Sequence, residues 1–220
     1  MERYQDFLLK KSLPLSERVV EAYYRFPRHL FIPEYSLEDA YEDRPLLIYQ
    51  QPPYISTISQ PSFVLRILDM LKIQPGNHVF ELGTGSGWNT ALLSYLVGDQ
   101  GSVVSTEIIR PLAERARKAF EEMKVSNVKV FAGDGFEGCD VGAPYDRIIF
   151  TAGSSEMPEK IFKSLKDDGL MVYIQSQEDG NDLLLLIHKE QGKAHVLRTI
   201  PCRFVPVIRN KESRLQDGTL

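Results

Sequence analysis

The chain has 220 residues, enough for one large domain or one domain with a small appendage, and its 43% apolar content supplies a real core. A formal charge of -4 excludes a global basic field that would draw it to nucleic acid or an anionic membrane. The cysteines, Cys139 and Cys202, and the histidines, His29, His78, His188 and His195, stand at no metal-ligand or disulfide-framework spacing, so no metal is expected and both thiols are expected to be reduced.

Met1 to Asp6 is charged and followed by only a few apolar residues, which fits neither a secretory signal nor a membrane span; a cytoplasmic location is expected. Residues 1 to 26 read as helical, broken near Pro14, with Ser16 as an N-cap candidate. Pro27 and Pro33 bracket a short packed run, in which Arg28 and His29 read as a surface pair or, alternatively, as anion ligands. From Ala40 to Pro61 the chain reads as a long ordered loop, and loops of that length in compact domains tend to be functional. Ser62 to Lys72 then places Phe63, Val64, Ile67, Leu68 and Leu71 on one helical face.

The central unit runs from Val79 to Glu107. Asn77 to Leu82 has strand composition, Gly83-Thr84-Gly85-Ser86-Gly87 turns the chain, Trp88 to Val97 is helical, and Ser102 to Glu107 is a second strand. Lacking a Cβ, Gly83, Gly85 and Gly87 can adopt positive φ and let a ligand lie close to the backbone beside the positive end of the helix. Glu107, at the carboxyl end of the second strand, can accept both hydroxyls of a ribose, so the unit reads as a site for a nucleoside-containing ligand. Trp88 stands where a dinucleotide fingerprint needs glycine, and the Gly-Lys-Ser/Thr of a phosphate loop is absent. The same glycines also suit a bare strand-to-helix turn.

Pro111 to Lys124 is a second amphipathic helix and Val128 to Ala132 a third strand, whose tip, Gly133-Asp134-Gly135, falls on the rim where open α/β sheets bind ligands. Tyr145 to Thr151 is a fourth strand, Met157 to Leu165 a helix and Leu170 to Gln175 a fifth strand. Leu183 to Ile187 and Val196 to Val207 follow without an intervening helix, which predicts an antiparallel hairpin on the sheet edge. Arg209 to Leu220 is polar and expected to fray.

Glu81-Leu82-Gly83-Thr84-Gly85-Ser86-Gly87 closely resembles motif I of class I S-adenosylmethionine (SAM) dependent methyltransferases, and five βα steps followed by a hairpin match their layout. Several further stretches resemble the protein-L-isoaspartate (D-aspartate) O-methyltransferases. They are Pro27 to Pro33, Ala40-Tyr41, Arg44-Pro45-Leu46, Thr57-Ile58-Ser59-Gln60-Pro61, Gly133-Asp134-Gly135, Pro144-Tyr145-Asp146, Thr151-Ala152-Gly153 and Phe204-Val205-Pro206, in the expected order.

That resemblance implies an α/β fold with a Rossmann-like doubly wound sheet, mostly parallel, an antiparallel C-terminal hairpin and added N-terminal helices. It implies SAM as methyl donor, S-adenosylhomocysteine as product, and a peptide or protein substrate whose isoaspartyl carboxylate is methylated for repair, the ester then collapsing to a succinimide. It makes Ser59 the active-site serine. Glu81, Gly83, Thr84, Gly85 and Gly87 would serve the methionine end of the cofactor, Glu107 the ribose, Asp134 and Gly135 the adenine, with Ile58 and Ser59 also reaching the cofactor. Thr57, Ser59, Val205 and Pro206 would meet the substrate.

Other readings stand beside these. Thr57 to Pro61 also fits a helix start with Ser59 as N-cap, and Asp134 a capped turn. The link from Ile48 to Thr57 departs from the family in being longer, lacking glycine and carrying two prolines and two tyrosines, which favours a relative acting on another carboxylate or a specific peptide. A non-catalytic binding protein on the same fold is the third reading. The expected layout is residues 1–72 as helices and substrate loop packed on a SAM-binding core of 73–208, with a polar tail of 209–220, in a monomer.

Overall fold

The structure is a computed structural model that describes residues 2–11, 14–210 and 216–217. The first part of the chain forms α1 (Glu2–Lys11), α2 (Glu17–Arg25), a 3-10 turn (Arg28–Phe31), α3 (Leu37–Ala40), the strands β1 (Leu46–Gln51) and β2 (Tyr54–Ile58), and α4 (Pro61–Met70). The alternating part follows as β3 (His78–Leu82), α5 (Trp88–Val97), β4 (Ser102–Glu107), α6 (Arg110–Glu122), β5 (Val128–Ala132), β6 (Tyr145–Phe150), α7 (Glu159–Ser164) and β7 (Leu165–Gln175). It closes with β8 (Asp182–Glu190), β9 (Lys193–Cys202) and β10 (Gln216–Asp217).

One sheet of eight strands has the order β10-β5-β4-β3-β6-β7-β8-β9. The run β5-β4-β3-β6-β7 is parallel, while β8, β9 and β10 are antiparallel. The chain winds outward from β3 to β5, then reverses to β6 on the other side of β3, and such a reversal opens a crevice at the carboxyl ends of the strands. From Val79 onward β3 is buried, as a parallel strand covered on both faces must be. Helix α5 is buried nearly all round because it lies between the sheet and α2. One hydrophobic cluster runs from Leu8 through the N-terminal helices and the sheet to Ile187. No helix among the described residues is long and apolar enough to cross a membrane.

The expected loop between Ala40 and Pro61 is instead largely a β-hairpin: β1 and β2 pair antiparallel from Leu46↔Ile58 to Gln51↔Tyr54, around Pro52 and Pro53. A register shift between Leu47 and Tyr49 breaks the alternation that would have marked the strands. Arg28, read as part of a surface pair, is fully buried. The second strand of the C-terminal hairpin stops at Cys202, and Val205 to Val207 instead cross to Gly153. The tail expected to fray from Arg209 is tied at its start, since Arg209 and Asn210 bond Asp134. Beyond residue 210, only Gln216–Asp217 lies among the described residues, paired with β5; the rest of that expectation lies outside them.

Candidate active site

A cavity open to solvent lies at the carboxyl ends of β3, β4, β5 and β6. Its floor is the turn after β3, where Gly83, Gly85 and Gly87 have φ of +100°, +54° and +85°. Side chains rarely adopt such values, which is why these strand-to-helix residues are glycines. Gly83 is doubly constrained: an added Cβ would lie 2.2 Å from Thr151 Oγ1, and that hydroxyl donates to the Gly83 carbonyl at 2.6 Å.

Gly83, Thr84 and Gly85 line the cavity, but Glu81 and Gly87 do not. Glu81 is buried behind the turn, where its carboxylate accepts from Asn89 Nδ2 at 2.7 Å and from Thr90 Oγ1 and Ser105 Oγ, both at 2.5 Å. Burial pushes its carboxyl up to about 7 against the pull of those three donors. Its position fits fastening α5 to β4 rather than touching a ligand. Gly87 faces the other way, where a Cβ would meet Phe120 and Ala116 of α6 at 3.2 and 3.3 Å.

Glu107 lines the cavity from the tip of β4. Its Oε2 accepts from Gly85 N at 2.7 Å and its Oε1 from Ile109 N at 2.9 Å, while burial raises its carboxyl above the usual range against those amides. Each oxygen keeps a lone pair for a ligand hydroxyl. At the tip of β5, Gly135 admits no Cβ because Thr106 Oγ1 would lie 2.0 Å away. Asp134 also lines the cavity, but its carboxylate is engaged by Phe136 N at 3.0 Å, Arg209 Nε at 3.1 Å and Asn210 N at 2.9 Å. The Arg209 guanidinium carbon stands 4.0 Å from the centroid of the Phe136 ring.

The facing wall is β2 and its continuation through Ser59. An added Cβ on Gly85 would find Ser56 Oγ at 3.7 Å and the Thr57 carbonyl at 4.0 Å, so strand and glycine turn are in contact range. Thr57 and Ser59 line the cavity, and among the described residues neither hydroxyl has a hydrogen-bond partner. Ser59 is not the N-cap of α4. Gln60 holds that position, and Asp43 accepts from Ser62 N at 2.9 Å in its place. Ile58 closes the strand, and Val205 and Pro206 form the far rim, held by Gly153 N donating to the Val205 carbonyl at 2.8 Å.

Sequence reasoning missed Trp88, Thr106, Phe136 and Tyr54 as wall residues. Trp88 and Phe136 each directly follow a quoted glycine motif, which is the signal that could have found them. The chemistry on offer is specific. The carboxyl side chains in the wall, Glu107 and Asp134, are both held by amides, and among the described residues no lysine, arginine or histidine lines the cavity. The arrangement can bind a ligand with hydroxyls and an apolar ring, and present neutral donors to an anion.

A profile of the family described as "Protein-L-isoaspartate(D-aspartate) O-methyltransferase (PCMT)" matches residues 5–212. A protein-L-isoaspartate O-methyltransferase of Ignicoccus hospitalis is 39% identical over 195 residues, 89% of this chain and 90% of that relative. A second such relative, from Archaeoglobus fulgidus, is 38% identical over 90% of this chain and 89% of its own length. Among solved structures, one named protein-L-isoaspartate O-methyltransferase superposes with a TM-score of 0.87 at 31% identity, covering 95% of this chain and 66% of that longer one. A Plasmodium falciparum structure, described as a complex with S-adenosyl-L-homocysteine, shares the fold with a TM-score of 0.77 at 20% identity, over 94% of this chain and 98% of that one.

Proposed function

The chain belongs to the protein-L-isoaspartate (D-aspartate) O-methyltransferase family, and from that membership we infer that it is a SAM-dependent enzyme methylating the free carboxylate of isoaspartyl residues in peptides or proteins. The observation that carries the reading is the contact range between the glycine turn and β2, with two unpartnered hydroxyls on the strand side. Such a wall suits an acceptor opposite a donor site.

The cavity's residues fit SAM by their chemistry. Gly85 leaves room for the amino-acid end, Glu107 retains acceptor capacity for ribose hydroxyls, and Gly135 and Phe136 offer a small and a flat surface for adenine. When bound, this group supplies a methyl on a positive sulfonium. The protein's residues do the rest. An isoaspartyl carboxyl titrates near about 4, so at neutral pH it is already a nucleophilic anion and needs no general base. That agrees with a wall that, among the described residues, holds no histidine or cysteine. The Thr57 and Ser59 hydroxyls donate to the acceptor and fix its direction without the tight hold of a cation, which would blunt the nucleophile. Tyr54 and Ile55 on one side and Val205 and Pro206 on the other limit water, and placement of this kind contributes up to about 7–11 kcal/mol.

The test is methyl transfer from SAM to an isoaspartyl peptide beside its normal aspartyl twin. Turnover of the first alone is expected; equal or absent turnover on the pair, with S-adenosylhomocysteine still bound, would move the acceptor to another carboxylate.

A further inference from the structure

Arg28 is 0% exposed, and no carboxylate lies within ion-pairing distance among the described residues. Its guanidinium donates through Nη1 to the carbonyl of Ser59 and through Nη2 to the carbonyl of Arg44 at 3.2 Å, while Nε is buried with no hydrogen-bond partner. The guanidinium carbon stands 5.2 Å from the centroid of the Trp88 ring. Trp88 is itself fixed, its indole Nε1 donating to the Phe26 carbonyl at 2.9 Å. Asp43, whose charge acts on Arg28 from a distance, is occupied by Gln60 and Ser62. Burying a guanidinium in this way is costly, and burial holds it below its ordinary value. Packing alone would not call for it, since an apolar side chain fills such space at no electrostatic cost.

The geometry points to a task the apolar side chain could not perform. Trp88 follows the glycine turn directly, Ser59 ends the opposite wall, and both line the cavity. Arg28 spans the two from behind, a planar fork with one tine on the Ser59 backbone and one on the backbone leading into β1. We propose that Arg28 is a positioning residue for methyl transfer: it sets the distance of Ser59, and of the acceptor beside it, from the donor turn. This rests on the assignment of the Ser59 wall to the acceptor.

The experiment compares Arg28→Lys and Arg28→Met with wild type by calorimetry with S-adenosylhomocysteine, steady-state kinetics on an isoaspartyl peptide, and amide hydrogen exchange. Arg28→Lys keeps a basic side chain of similar length and loses the fork, so kcat/KM should fall about 100-fold, the scale of a small misplacement, while cofactor affinity stays within about 2-fold. In the double variant with Ser59→Ala the losses should overlap rather than add. Additive losses, a parallel fall in cofactor affinity, or kcat/KM within about 3-fold of wild type would overturn the proposal. Should Arg28→Met fail to fold, Arg28→Lys carries the test. Should wild type bind cofactor yet leave the isoaspartyl peptide untouched, the acceptor assignment fails on its own, and exchange decides the positioning. Faster exchange at Thr57 to Gln60 in Arg28→Lys, with Gly83 to Trp88 unchanged, supports it, and unchanged exchange at Thr57 to Gln60 overturns it.

Discussion

Gly85 holds a φ of +54° in the cavity floor, with Ser56 Oγ and Ile48 Cδ1 both under 4 Å from where a Cβ would project. Gly85→Val combines left-handed strain with a branched side chain in that gap, and calorimetry should find S-adenosylhomocysteine binding abolished. Ser59→Ala should do the opposite. It removes one donor to an anion, worth about 1.5–3 kcal/mol, so kcat/KM on the isoaspartyl peptide should drop about 10–100-fold with cofactor affinity intact. A matching loss of affinity would instead make Ser59 a cofactor contact. Glu81 sets a pH signature. Its folded-state carboxyl, near 7, lies above its ordinary 4.5, so the contribution to stability is present below 4.5 and lost as pH rises through about 7. In Glu81→Gln an amide nitrogen can face the Thr90 and Ser105 hydroxyls, which turn to accept, while its oxygen still meets Asn89. The variant should therefore gain on wild type between about pH 5 and 8, by up to about 3 kcal/mol, then level off in thermal melts. A difference independent of pH would remove Glu81 as its source.

At the level of elements, the βαβ unit was legible because each signal agreed: strand composition, glycines at the turn, and an acid at the next tip. The helix Trp88–Val97 and the strands Ser102–Glu107 and Val128–Ala132 lie where periodicity and turn residues put them. The β1–β2 hairpin was not legible. Its strands meet through a shifted register and a Pro-Pro link, neither of which leaves a clean two-residue alternation or a glycine turn. Arg28 was misread for a similar reason, since nothing local in Pro27-Arg28-His29 tells that Trp88, sixty residues on, will lie against it. Glu81 and Gly87 share the motif's spacing with the wall glycines but point away from the cavity, and spacing carries no direction. The hairpin also bears a prediction. Tyr54 lines the cavity mouth from β2, so Tyr54→Ala should raise the peptide KM about 5–30-fold, the cost of a lost aromatic contact, without changing cofactor affinity. An unchanged KM would mean the peptide does not reach the hairpin.

Across the molecule, the cavity draws on distant parts of the chain: β2 before the sheet, the tips of four strands, and the segment from Val205 that returns to Gly153 and Asp134. Arg209 is the last link, bonding Asp134 and Glu137 and covering Phe136. Arg209→Ala leaves the buried Asp134 with one partner fewer, a loss of about 1–2 kcal/mol, seen as a fall of about 2–8 °C in melting temperature together with weaker S-adenosylhomocysteine binding. Unaltered melting would show that Asn210 and Phe136 suffice. The order in which these parts leave the ribosome has its own consequence. The glycine turn emerges early and can fold with its neighbouring strands, yet the pocket stays unroofed until the last of its wall has been translated. A chain truncated before Val205 is therefore expected to transfer no methyl group, because part of the wall is still missing.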